Sequence, residues 1–144
     1  MSSNNATGRS LENQVELLLN NQSYVTVEYK DWVKNKETDG KFLVKHFPYI
    51  SIYESKCRTE FVLIENGRTI RIECKWQQVS GSVDEKFPYL YWNAVERWEE
   101  NESILLIDGG GYKPKALEWL RKSARDKVGF ADKPEKAIAV FTFT

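Results

Sequence analysis

The chain has 144 residues, enough for one domain with its own hydrophobic core. Its 41% hydrophobic and 29% charged content excludes a disordered or fibrous protein, and no apolar run approaches the roughly 18 residues that cross a bilayer. A formal net charge of zero removes any general pull toward polyanions, so composition permits a nucleic-acid partner without implying one.

Met1 to Gly8 lacks the charged-then-apolar layout of a secretory signal, so residues 1–9 read as a flexible lead-in and 10–144 as a single domain. With no sign of export, the expected location is the cytoplasm, where Cys57 and Cys74 stay reduced. Ser10 is placed to cap a helix from Leu11 to about Asn21, with Leu11, Val15, Leu18 and Leu19 as its apolar stripe. Tyr24 to Lys30 alternates as a strand would. Phe42 to Ile50 has strand composition, but Pro48 makes it an edge or ends it early.

Two strong strands follow, Thr59 to Glu65 and Arg68 to Trp76, joined by Asn66-Gly67. That dipeptide suits a type I′ turn, which needs φ > 0 twice. After a polar stretch from Gln77 to Lys86, Pro88 stands in the first turn of a helix striped by Tyr91, Ala94, Val95 and Trp98. Ile104 to Asp108 reads as a buried strand, Gly109-Gly110-Gly111 as a turn, Pro114 to about Lys127 as a helix, and Ala137 to Phe143 as a last strand. The expected class is α/β: a mixed central sheet flanked by helices.

The hairpin carries the chemistry. With Asn66 and Gly67 as the turn, Glu65 faces Arg68, Phe61 faces Ile72, and Glu60 faces Glu73. Phe61, Leu63, Ile70, Ile72, Cys74 and Trp76 then share the core face, while Glu60, Glu73 and Lys75 share the other. Two carboxylates opposed at about 5 Å repel by ~3 kcal/mol at an effective dielectric near 20. A divalent cation offsets this directly. With one histidine and no CxxC, a zinc site is excluded, and oxygen ligands favour magnesium, calcium or manganese. A solvated salt-bridge cluster is the competing reading of the same three residues.

At Glu60, twelve residues, then Glu73-Cys74-Lys75, the chain resembles the PD-(D/E)xK nuclease superfamily, with its restriction-endonuclease-like α-β-β-β-α-β core. The resemblance covers about Gly8 to Ile107. It implies Mg²⁺- or Mn²⁺-dependent hydrolysis of DNA phosphodiester bonds, with Glu60 and Glu73 as metal ligands and Lys75 assisting the attacking water. It also implies that Glu12, on the first helix, joins the site, and that Gln77 acts beside the lysine. Thr59-Glu60 stands where the family pattern has Pro-Asp, so the first ligand is one methylene longer. Cutting both strands would normally require two centres, hence an expected homodimer.

Lys113 to Lys127 carries a local charge of +4, and Asp84 to Glu102 one of −4. Tyr112, Lys113 and Lys115, then Arg121, Lys122 and Arg125 along the following helix, are candidate contacts to DNA backbone, with Lys86 as another beside a loop near the site. The alternatives are a tight strand-to-helix turn and a solvated helix face. Most tryptophans and tyrosines read as core, and His46 as an ordinary strand residue. Two further classes compete with a nuclease. One is an inactive nucleic-acid-binding or assembly subunit with the same fold. The other is an unrelated α/β interaction protein.

Overall fold

A computed structural model describes the backbone of residues 3–142 and side chains from residue 11 to residue 142. The first helix, α1 (Ser3–Asn20), begins well before Ser10, so Ser10 lies inside it and most of the expected lead-in is helical. There follow β1 (Val25–Glu28), a single helical turn α2 (Tyr29–Trp32), and the long strands β2 (Lys41–Ile50), β3 (Lys56–Glu65) and β4 (Arg68–Trp76). A 3-10 turn (Asp84–Lys86) leads into α3 (Phe87–Glu96), and β5 (Glu102–Asp108), α4 (Pro114–Arg125) and β6 (Ala137–Phe141) complete the fold. The expected last strand thus stops at Phe141, and Phe143 lies outside the described residues.

The six strands among the described residues form one sheet in the order β1-β2-β3-β4-β5-β6. Its centre, β2-β3-β4, is antiparallel, and β1, β5 and β6 add in parallel at the two sides. The α/β mixed-sheet expectation holds. Asn66 (φ 48°) and Gly67 (φ 88°) form the left-handed pair that a type I′ turn requires. Pro48 is accommodated because β1 pairs with β2 only from Phe42 to Lys45, leaving the flank of β2 beside Pro48 without a strand and needing no N–H there.

Helix α1 covers one face, where Leu11 and Val15 pack on Leu43, Phe61, Ile72, Cys74 and Leu106. Helices α3 and α4 cover the other, with Tyr91, Val95, Trp98 and Leu120 around Leu105 and Ile107. Burying each such aliphatic side chain stabilises the fold by about 1.5–3 kcal/mol. Alternation breaks at one level of the sheet. Leu43 and Phe61 face α1, yet their near neighbours Phe47 and Thr59 face the opposite way, Phe47 against Tyr29 and Trp32 and Thr59 against Arg71. Between them His46 adopts φ 58°, and His46 and Glu60 are missing from an otherwise regular β2–β3 ladder. A left-handed residue inside a strand turns the following side chains to the other face. This bend positions the site.

Candidate active site

The ladder between β3 and β4 runs from Glu65↔Arg68 to Phe61↔Ile72 and ends there. Five of the six expected pairs are therefore present, and the sixth, Glu60 opposite Glu73, is not formed. The strands part because β3 bends at Glu60 while β4 continues straight, paired through Trp76 with β5. Glu60 turns its carboxylate across the opening and accepts a hydrogen bond from the Cys74 amide at 3.3 Å.

Glu73 and Lys75 share a face of β4, as alternation requires, with Lys75 Nζ 3.5 Å from Glu73 Oε2. Glu73 is only 5% exposed, and its Oε1 has no hydrogen-bond partner. Burial pushes its carboxyl up to about 7, against the opposing pull of Lys75; the carboxylate that adds to the rise is Glu12. Desolvation therefore replaces the Glu60–Glu73 repulsion expected from the sequence as the source of unfavourable energy. Glu12 reaches this region from α1 and lines a pocket of about 200 Å³ with His46, Arg58, Thr59 and Glu60. His46 Nδ1 is 2.8 Å from Glu28 Oε1.

Arg71, 2% exposed, spans the opening from the α3 side. Its guanidinium donates to Thr59 Oγ1 and the Phe47 carbonyl, both at 3.2 Å, and to the Glu100 carboxylate at 2.6 and 3.2 Å. The rings of Phe47, Tyr49 and Trp98 surround it. One side chain thus ties β4, two residues before Glu73, to the bent segment beside Glu60. Sequence reasoning missed Arg71; its parity with Glu73 and Lys75 on β4 is the signal that would have put it on their face. Nothing in the sequence marked the turn at His46.

Gln77 lies just past β4. Its amide donates to the Gly111 carbonyl at 2.9 Å and accepts from the Val83 amide at 2.7 Å, so both ends are engaged in fastening loops. Gly109 and Gly111 press on the same strand end. A Cβ at Gly109 would meet the Gln77 carbonyl carbon at 2.6 Å, and one at Gly111 the Gln78 and Val79 backbone at 2.6 Å. The triple-glycine turn is thereby packed against residues 77–79. Tyr112 packs on Phe87 and directs its hydroxyl to the Lys75 and Asp108 carbonyls. It supports the backbone of the lysine.

Lys86, Lys113 and Lys115 are exposed at the sheet end where β4 and β5 finish, and Asp84 accepts from the Lys113 amide at 3.1 Å, joining their two segments. Arg121, Lys122 and Arg125 are exposed further along α4, beside Pro114, Leu117 and Glu118 in a shallow groove. Glu73 is not among the residues that line this groove.

Among the described residues, no three His, Cys, Asp or Glu side chains are arranged as a cation cage. The donor set is nevertheless chemically suited to a hard divalent ion, because Glu73 Oε1 is a buried carboxyl oxygen lacking a partner and the neighbouring acids also offer oxygen ligands.

A mixed sheet that opens between two strands, with a glutamate on either side and a lysine on the second strand, defines the class: a restriction-endonuclease-like α/β domain. A family model described as the PD-(D/E)XK nuclease superfamily domain matches residues 3–144. The chain belongs to that superfamily. No curated protein and no solved structure matches it.

Proposed function

We propose that this protein is a divalent-metal-dependent DNA endonuclease acting at Glu60, Glu73 and Lys75. The observation that carries the reading is the buried Glu73 carboxylate, one oxygen of which faces Lys75 while the other has no partner. Glu73 and Glu60 would hold Mg²⁺ or Mn²⁺, with Glu12 in reach of the same region. A bound divalent ion supplies Lewis-acid polarisation of the phosphate and a lowered pKa for a water.

The chain's own groups do the rest. Glu73 must lose its proton to serve as a ligand, which its carboxyl does near neutral pH. Lys75, part-exposed and held against Glu73, is placed to orient an attacking water and to neutralise charge developing on the phosphate. Glu60 keeps its direction through the Cys74 amide. Gln77 and Tyr112 act as positioning residues, fixing the end of β4 on which Lys75 sits. Lys86, Lys113 and Lys115 supply phosphate contacts nearest this strand end, and Arg121, Lys122 and Arg125 extend them along α4. Cutting both strands of a duplex requires two such centres, for which a homodimer is the simplest arrangement.

The test is incubation with supercoiled plasmid and with branched DNA in Mg²⁺, Mn²⁺ or EDTA, beside Lys75→Ala. The expected result is metal-dependent cutting that falls by about 10²–10³-fold in the variant. Folded protein that binds DNA without cutting either substrate, and whose affinity ignores the metal, would instead establish an inactive binding subunit.

A further inference from the structure

The connection between β2 and β3 ends in an aromatic ring standing in solvent. Tyr53 is 73% exposed, and one face of it stacks on Tyr89 of α3, with centroids 4.8 Å apart and planes inclined by 24°. The turn beneath is tightly held. Ser51 Oγ accepts from the Tyr53 and Ser55 amides at 3.1 and 3.2 Å, the Ser51 amide donates to the Ser55 carbonyl at 2.9 Å, and the Ile52 amide donates to Asn93 Oδ1 at 2.8 Å. A ring on a loose loop would fold back onto the surface. This one stands on a tightly held turn and stacks one face on a second ring while most of its surface stays exposed.

The pair lies on the side of the sheet that carries Glu73. Tyr89 Oη is 3.8 Å from Cys57 Sγ, and the Tyr49 hydroxyl is pushed up by burial first, then by the Glu73 carboxylate and, more weakly, by Tyr89. Cys57 precedes Glu60 by three residues, on the order of 10 Å along the strand. Lys86 is exposed one turn before Tyr89 and Lys56 at the start of β3, matched in number by Glu54 and Glu85, whereas Arg58 lines the pocket with Glu12 on the α1 side. An open π-face backed by a second ring is the chemistry of a stacking platform for an unpaired base, because every base offers a π-face while paired bases in a duplex are already stacked.

We propose that Tyr53, backed by Tyr89, is a stacking platform for an unpaired nucleobase of the DNA substrate, which directs the centre toward strands with single-stranded character. This rests on the nuclease reading above. It adds a substrate preference that duplex contacts from α4 do not supply.

The test measures binding by anisotropy to three fluorescein-labelled probes: oligothymidylate, a blunt duplex, and that duplex with an unpaired tail. Wild type, Tyr53→Ala, Tyr53→Phe and Lys75→Ala are compared in Ca²⁺ after melting curves establish that each is folded. Tyr53→Ala is expected to weaken the oligothymidylate and tailed complexes roughly 5- to 100-fold and leave the blunt duplex unchanged, with Tyr53→Phe close to wild type. Equal affinities of wild type and Tyr53→Ala for the tailed probe would overturn the platform, as would an equal loss on all three probes. Plasmid cutting scored separately keeps the two ideas apart. Cutting with an unaffected Tyr53→Ala retains the nuclease and removes the platform. No cutting with a selective Tyr53→Ala defect does the reverse.

Discussion

Glu73 is held in an environment that works against its own charge. Its folded carboxyl sits near 7, above the ordinary glutamate range, so the folded protein binds the proton more tightly than the unfolded chain does. The sign follows. This group's favourable contribution is complete below the unfolded pKa, near 4.5, and is lost as pH rises through about 7. In EDTA, Glu73→Gln should therefore raise stability at pH 8 by roughly 1–3 kcal/mol relative to wild type and make little difference at pH 4. Urea melts at both pH values would check it; equal stabilisation at both would place the effect elsewhere. Alternation read correctly that Glu73 and Lys75 share a face. The expectation that Glu60 would oppose Glu73 failed because a regular ladder was extended one pair beyond the bend, and no feature of His46 in the sequence announces a left-handed strand residue.

Among the elements, the β3–β4 hairpin was the most legible. Asn66-Gly67 fixed the turn, and side-chain alternation then assigned the face against α1 residue by residue, although Val62, Ile64, Arg71 and Glu73 on the other face are buried as well. What sequence spacing does not contain is how the far end of the hairpin is held open. Arg71 does this through Thr59, the Phe47 carbonyl and Glu100. Arg71→Met leaves Glu100 buried without its cation, and Glu100→Gln weakens the pair from the other side. The methionine variant should lose about 3–5 kcal/mol in a denaturant titration, and an effect below about 1 kcal/mol would show that the opening is held by packing alone. The glycine turn was equally opaque. Gly109, Gly110 and Gly111 look alike in sequence, yet the structure separates them, since a Cβ at Gly110 meets nothing within 4 Å. Gly111→Ala should cost roughly 2–4 kcal/mol and disturb Lys75 through residues 77–79, whereas Gly110→Ala should cost only about 1 kcal/mol for its left-handed backbone. Similar melting temperatures for the two variants would contradict the close approach. Gln77 and Tyr112 belong to the same lesson: their partners are backbone groups, of two loops for Gln77 and of the ends of β4 and β5 for Tyr112, which side-chain type does not reveal.

Across the whole molecule, zero net charge conceals a division of labour. Cations gather on the loop before α4 and along that helix, and the lysine of the centre lies at the sheet end where that loop begins. Lys122→Ala and Arg125→Ala together should weaken duplex binding about uniformly across sequences and reduce its salt dependence by about two ions' worth, as contacts to phosphate do. An unchanged salt slope would make this a solvated helix face.

The central claim is that Glu73 is the carboxylate that holds the catalytic ion. Calorimetric titration of Mn²⁺ into wild type and Glu73→Gln, repeated from pH 6 to pH 8, tests it most directly. Wild-type affinity should climb as pH passes through about 7, where Glu73 gives up its proton, and should fall at least about 10-fold in the variant with the pH dependence gone. Equal affinity and an equal pH profile in the two proteins would contradict the assignment and leave the buried carboxylate without a metal to serve.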